Sequence, residues 1–239
     1  MQHTVPCVGY VITEANRPGR LKFEKIRPIV EKHKLELKGQ LGLRDANKVY
    51  AILKNMSPEE GPFEFPDGTA LHTEDFLEPQ RPGRKIVIMG DTCTGEHIAS
   101  LSKDCDVLIH EATNAFFRSG EGESRNERYS NYYQLERDTL KHGHSTPEMA
   151  GSFAASINAR TLLLTHFSPR YRGDDEYVHM RKMWQIEDMA RIASCGKLDG
   201  PNDIIAAWDQ MCLPVALRSA ESASKEPCEM KHDINDREL

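Results

Sequence analysis

The chain has 239 residues, 38% hydrophobic and 28% charged, which predicts a soluble globular protein of one large domain or two small ones. A net charge of −6 excludes a uniformly basic nucleic-acid binder. No apolar run approaches the ~18 residues of a membrane span, and MQHTVPCVGY lacks the basic-then-apolar order of a secretory signal.

In chain order, VPCVGYVI (5–12) reads as a strand. Between Arg17 and Lys54 come eleven Lys or Arg residues against four acids, a segment of +7 that leaves −13 on the rest. It predicts short helices interrupted at Pro28 and Gly39, whose charge is either a solvated surface or a face for a polyanion. SPEEGP (57–62), FPDGT (65–69) and QRPGR (80–84) carry turn chemistry. A strand is expected over 85–90, then a short helix with Ile98 and Leu101 inward, then a strand over 106–110. RSGEGESRNERYSN (118–131) is too hydrophilic to pack. The spacing of Met149, Ala150, Phe153, Ala154 and Ile157 predicts a helix over 147–157, with Pro147 in its first turn and Ser145 or Thr146 as its cap. A strand over 161–166, a helix over 176–194 burying Met183, Ile186, Ala190 and Ala193, and a strand in DIIAAWD (203–209) complete the pattern. Residues 216–239 have too few apolar side chains to fold and predict a disordered tail. Strands alternating with helices predict an α/β architecture, in which ligands gather where strands end in loops.

Three of these strands stop on chemistry-bearing residues. KIVIMGDT (85–92) runs apolar to Asp91, CDVLIHEAT (105–113) to His110 and Glu111, and RTLLLTHFS (160–168) to His166. Each has a plain reading: Asp91 a helix cap, His110 and Glu111 a surface pair, His166 a core imidazole, His3 a terminal residue, HGHST (142–146) a capping box. Taken together, histidines and acids spread over separate loops are how hydrolytic zinc sites are assembled. Six scattered cysteines without a CxxC pair read as reduced thiols, which places the chain inside the cell, in cytoplasm or nucleus, with an organelle as the alternative.

HTVPCVGY, GDT, HEAT, HGHST and LLLTHFSPRY, in this order from residue 3 to residue 171, closely resemble the C-terminal half of tRNase Z. That family comprises metallo-β-lactamase-fold endoribonucleases that trim the 3′ trailer from precursor tRNA. The resemblance implies an αββα sandwich of which this chain supplies mainly the C-terminal half, over residues 1–215. It implies two zinc ions per complete site, with His3 on the first, His166 on the second and Asp91 shared. His144 would then donate a proton to the departing oxygen, Glu111 would orient it, and Arg170 would touch phosphate. Ser145 and Thr146 at a helix start offer backbone N–H groups to phosphate, or simply cap the helix. The basic segment, at about residues 17–60, stands where the family carries a tRNA-gripping arm, with Arg17, Arg20, Lys22, Lys25, Lys32, Lys34 and Lys38 as its contacts. The family partner is precursor tRNA, and the full-length form is expected to be a homodimer away from membranes. The family's HxHxDH loop is absent, so the isolated chain is expected to be inactive; the alternative is a non-catalytic tRNA-binding or dimerisation module. HEAT with HST argues against a DNA-repair or cyclic-nucleotide phosphodiesterase of the same fold.

Overall fold

The computed structural model describes residues 1–117, 129–198, 200 and 203–217. Most of the 118–131 stretch and nearly all of the 216–239 tail lie outside the described residues. The chain divides into two compact units, one of Met1–Glu14 with Arg84–Ala216, the other of Ala15–Gly83.

The first unit holds β1 (Tyr10–Thr13). The second holds α1 (Phe23–Lys32), α2 (Lys34–Gln40), α3 (Lys48–Asn55), the short strands β2 (Phe63–Glu64) and β3 (Ala70–Leu71), and α4 (Thr73–Phe76). Back in the first unit come β4 (Lys85–Ile88), α5 (Glu96–Ser102), β5 (Val107–Glu111) and α6 (Tyr132–Lys141). They are followed by α7 (Pro147–Ser156), β6 (Leu162–Thr165), α8 (Tyr177–Ala193) and β7 (Ile204–Ala206). The α/β class expected from the sequence is observed.

A five-stranded sheet in the order β1-β4-β5-β6-β7 organises the first unit, with β1 antiparallel to β4 and the other pairs parallel. The parallel pairs follow from helical crossovers, which bring each strand back in the same direction. One face carries the buried core: Val87, Leu108, Leu162, Leu164, Ile204 and Ala206 pack with Ala150, Ala154, Ile157, Ile186 and Ala190 of α7 and α8. On the other face the register aligns Tyr10, Ile88, Ile109, Leu163 and Ile205 in one cross-strand row. That row is apolar too, yet Tyr10 is 60% exposed and the other four are only half-buried.

The second unit has its own core of Ile26, Val30, Leu37, Val49, Leu53, Phe65 and Phe76. Its charge is more balanced than the basic segment suggests, because residues 15–83 contain twelve basic and eleven acidic side chains. Lys32 donates to Asp67 (2.9 Å), and His33 is hydrogen-bonded between Glu36 and Asp67, both at 2.9 Å. The Lys32 ammonium, with Thr69 beside it, holds the Asp67 carboxyl well below the usual carboxylate range. A depressed carboxylate contributes stability above its unfolded value and loses it as pH falls, so acidification weakens this unit.

Several local expectations need correction. Pro28 does not interrupt α1 but sits inside it, because burying Ile26 and Val30 on either side outweighs one lost backbone bond. Gly39 lies within the last turn of α2, where its cost is small. Leu101 is 64% exposed; the inward stripe of α5 is Ile98, Ala99 and Ser102 instead. The first strand starts at Tyr10 rather than residue 5, and Val5 and Val8 are exposed. Helix α6 escaped sequence reading altogether, since its ten residues bury only Leu135 and Thr139 and are mostly polar.

Candidate active site

The parallel strands β4, β5 and β6 all end at one edge of the sheet, and β1, running the other way, begins there. Four chain segments therefore reach one place: the lead-in to β1 with His3, the β4 loop with Asp91, the end of β5 with Glu111, and the turn after β6 with His166. His144 enters from the loop before α7. That loop is closed by Thr146, whose side chain caps α7 by accepting from the Met149 amide. Thr146 is thus the cap, and Ser145 instead donates its hydroxyl to the Thr92 carbonyl (2.6 Å). Asp91 caps no helix, because α5 starts at Glu96 with Gly95 in the cap position and no side-chain cap.

The segment carrying His3 is tied down at several points. The Cys93 amide donates to the Gln2 carbonyl (2.9 Å), and the Gln2 amide to Thr92 Oγ1 (3.2 Å). His3 Nδ1 bonds the Gly143 carbonyl (2.8 Å), and Gly143 has φ +79°. A Cβ at Gly143 would lie 2.6 Å from His3 Nδ1, so only glycine permits this approach. Gly90 plays the same part next to Asp91, where a Cβ would meet Cys7 Sγ at 2.4 Å.

His3 Nε2 lies 3.9 Å and His166 Nε2 3.5 Å from Asp91 Oδ2. A carbonyl only accepts, so His3 gives its Nδ1 hydrogen to Gly143, and in the neutral ring the lone pair is then on Nε2. His166 sits in the left-handed region at φ +55°, which turns its half-exposed ring away from β6 toward Asp91. Ligand atoms of His3, Asp91 and His144 fall within 4.8 Å of one another, as do those of Glu111, His144 and His166.

Glu111 is buried, 1% exposed, and surrounded by donors. It accepts from the Thr92 amide (2.7 Å), the Ser145 amide (3.1 Å), the Thr113 hydroxyl and His144 Nδ1 (3.0 Å). A buried carboxylate is tolerable only when hydrogen-bonded in this way. The His144 ring lies near those of both His3 and His166, with centroids at 4.8 and 5.3 Å. His110 stays out of the cluster: it is buried, bonds the Glu111 carbonyl (2.7 Å), and burial pushes its pKa down. His110 and Glu111 are therefore not a surface pair. Arg170 is exposed, its guanidinium held by Ser168 (3.0 Å) and Asn114 (2.5 Å).

In the second unit, Arg17, Arg20, Lys25, Lys32 and Lys38 are exposed. Lys22 donates to the Glu74 carbonyl (2.6 Å), and Lys34 lies 3.4 Å from Glu31. Sequence reading passed over Thr113 and the backbone of Gly143 and Thr92. The first stood inside HEAT and the second inside HGHST, but neither residue type announces a role.

No family model matches the chain. It is 32% identical over 221 residues to a protein named Ribonuclease Z from Crocosphaera subtropica, covering 92% of this chain and 56% of that protein. It is likewise 32% identical over 182 residues to Ribonuclease Z from Bacillus subtilis, covering 72% and 45%. The chain is a sequence relative of ribonuclease Z. It spans about half the length of the curated ribonuclease Z relatives it matches. Among solved structures, human tRNase Z, short form, aligns at 29% identity over 56% of this chain and 34% of that one, with a TM-score of 0.32. YhfI from Bacillus subtilis, titled a metallo-beta-lactamase fold protein, aligns at 19% identity over 55% and 42%, with a TM-score of 0.33. The relationship to ribonuclease Z rests on sequence. Among the described residues, no helix is long and apolar enough to cross a membrane.

Proposed function

We propose that the chain is the C-terminal part of a zinc-dependent endoribonuclease of metallo-β-lactamase fold that removes the 3′ trailer from precursor tRNA. The observation that carries this reading is the convergence of His3, Asp91, Glu111, His144 and His166 at one sheet edge, in a relative of ribonuclease Z.

The donor set suits zinc, which takes imidazole nitrogen and carboxylate oxygen. Their geometry supports the fit: the Nε2 atoms of His3 and His166 face one carboxylate, a corner of imidazole nitrogen and carboxylate oxygen that suits a cation. His3 would hold one ion, His166 the other, and Asp91 both. Bound there, zinc would supply Lewis-acid polarisation of a phosphate oxygen. Protonated His144 would give its Nε2 proton to the departing 3′ oxygen, because a ribose alkoxide is a poor leaving group. Glu111 would hold the ring through Nδ1 and stabilise the imidazolium.

The half-buried apolar row Tyr10-Ile88-Ile109-Leu163-Ile205 supports the fragment reading, since such a face needs cover. Purified alone, the 239-residue chain should bind zinc poorly, because each ion has two protein ligands where catalytic zinc keeps three. It should leave a 3′ trailer intact, and recover cleavage when joined to the N-terminal half that its relatives carry. Trailer removal by the chain alone would contradict this, and tRNA binding without cleavage by the joined protein would favour the non-catalytic module.

Residues 15–83 are the proposed tRNA-binding arm, with Arg17, Arg20, Lys25, Lys32 and Lys38 exposed for phosphate contacts. Because acids offset most of the unit's charge, the expected salt dependence is modest, about one counterion per phosphate contacted. Deleting residues 20–54 from the full-length enzyme should weaken tRNA binding and flatten that dependence while sparing a small phosphodiester. An unchanged binding constant across a salt series returns these side chains to ordinary surface. The full-length enzyme is expected to be a homodimer, and a monomer in sedimentation would refute that part.

A further inference from the structure

We infer that Thr113 is a positioning residue whose single hydroxyl fixes both the tautomer of His166 and the setting of Glu111. This rests on the reading of His166 as a metal ligand and of Glu111 as the group that orients His144.

Thr113 Oγ1 lies within hydrogen-bond distance of the Glu111 carboxylate, of His166 Nδ1 (2.8 Å) and of the His166 carbonyl (3.0 Å). Its hydroxyl has one hydrogen to give and lone pairs to accept with. The carboxylate and the carbonyl can only accept, so the hydrogen goes to one of them. The carboxylate is the stronger acceptor, being charged. In either case none is left for His166 Nδ1, which must therefore donate. The ring is thereby locked as its Nδ1–H tautomer, and Nε2 turns a lone pair toward Asp91 at 3.5 Å. His3 reaches the same state through the Gly143 carbonyl. One is thus set by backbone, the other by a side chain that also touches the acid-catalyst pair. His144 Nδ1 lies 3.4 Å from the same hydroxyl, beyond its 3.0 Å bond to Glu111. Thr113 therefore stands between the metal-holding half of the site and the proton-moving half.

Among the described residues the Thr113 hydroxyl is the group hydrogen-bonded to His166 Nδ1; without it a free imidazole favours Nε2–H, which cannot ligate through Nε2. Two variants separate the hydroxyl from its packing: Thr113→Val keeps the shape and Thr113→Ser keeps the hydroxyl. Ring-nitrogen NMR of the 239-residue chain at about pH 8, above the ordinary range of the imidazole, should show His166 as Nδ1–H in the wild type and in Thr113→Ser. In Thr113→Val the signal should move toward Nε2–H. In the full-length enzyme, competition titration should show zinc binding ~10–100-fold weaker in Thr113→Val, the usual effect of losing a group that orients a metal ligand, and normal in Thr113→Ser. An unchanged His166 tautomer in Thr113→Val, or equal losses in both variants, would overturn the inference. Inactivity of the full-length wild type on precursor tRNA contradicts only the functional reading, because the ring-nitrogen spectra need neither metal nor RNA.

Discussion

Asp91→Ala should abolish trailer removal by the full-length enzyme, with a loss larger than the ~10²–10⁴ expected of a missing general acid. Among the described residues Asp91 is the carboxylate that faces both His3 and His166, at 3.9 and 3.5 Å. Without it, the His3 and His166 imidazoles lose the carboxylate they share, and both proposed ions lose a common ligand. The loss should not come from unfolding. Asp91 caps no helix, its side chain is about one-third exposed, and the largely buried His3 ring keeps its hydrogen bond to the Gly143 carbonyl when Asp91 is removed. Melting temperature near wild type, zinc content sharply reduced and no detectable cleavage form the expected set. Near-normal turnover at matched zinc would remove Asp91 from the site.

His144→Ala should slow cleavage by ~10²–10⁴ while the protein keeps its zinc. The imidazole is tied to Glu111 through Nδ1, which leaves Nε2 for proton transfer. Glu111→Gln should slow the same step and spare metal content, because an amide no longer stabilises the imidazolium. It also carries a structural cost. Glu111 accepts from the Thr92 and Ser145 amides and the Thr113 hydroxyl, and an NH₂ group cannot accept all of these. A fall in melting temperature of Glu111→Gln, absent from His144→Ala, would register that second role.

How much of this was legible in the sequence depends on the range of the physics. The strands ending on Asp91, Glu111 and His166 were readable because apolar runs between helices report a parallel sheet, and such a sheet puts its strand ends at one edge. The burial of Ala150, Ala154, Ile157, Ile186 and Ala190 followed from helical spacing alone. His3 was different. Its place in the cluster needs β1 to run antiparallel to β4, a pairing across more than seventy residues that no local pattern reports. The same holds for Gly143, whose carbonyl meets His3 from 140 positions away. Pro28 misled because local propensity was overruled by tertiary burial. The +7 of residues 17–54 is nearly balanced within residues 15–83, because further acids, Asp67 among them, come later in the same folded unit.

The central claim is that these side chains divide between holding metal and moving a proton. His144 tests it most directly, because its ligand atom comes within 4.8 Å of those of His3 and Asp91 and geometry alone allows either task. The decisive measurement is elemental zinc analysis of full-length His144→Ala, purified beside wild type and Asp91→Ala, with the same preparations assayed on a precursor tRNA. The division predicts wild-type zinc with crippled cleavage in His144→Ala, and loss of both in Asp91→Ala. Zinc lost from His144→Ala to the same extent as from Asp91→Ala would make His144 a ligand and contradict the account.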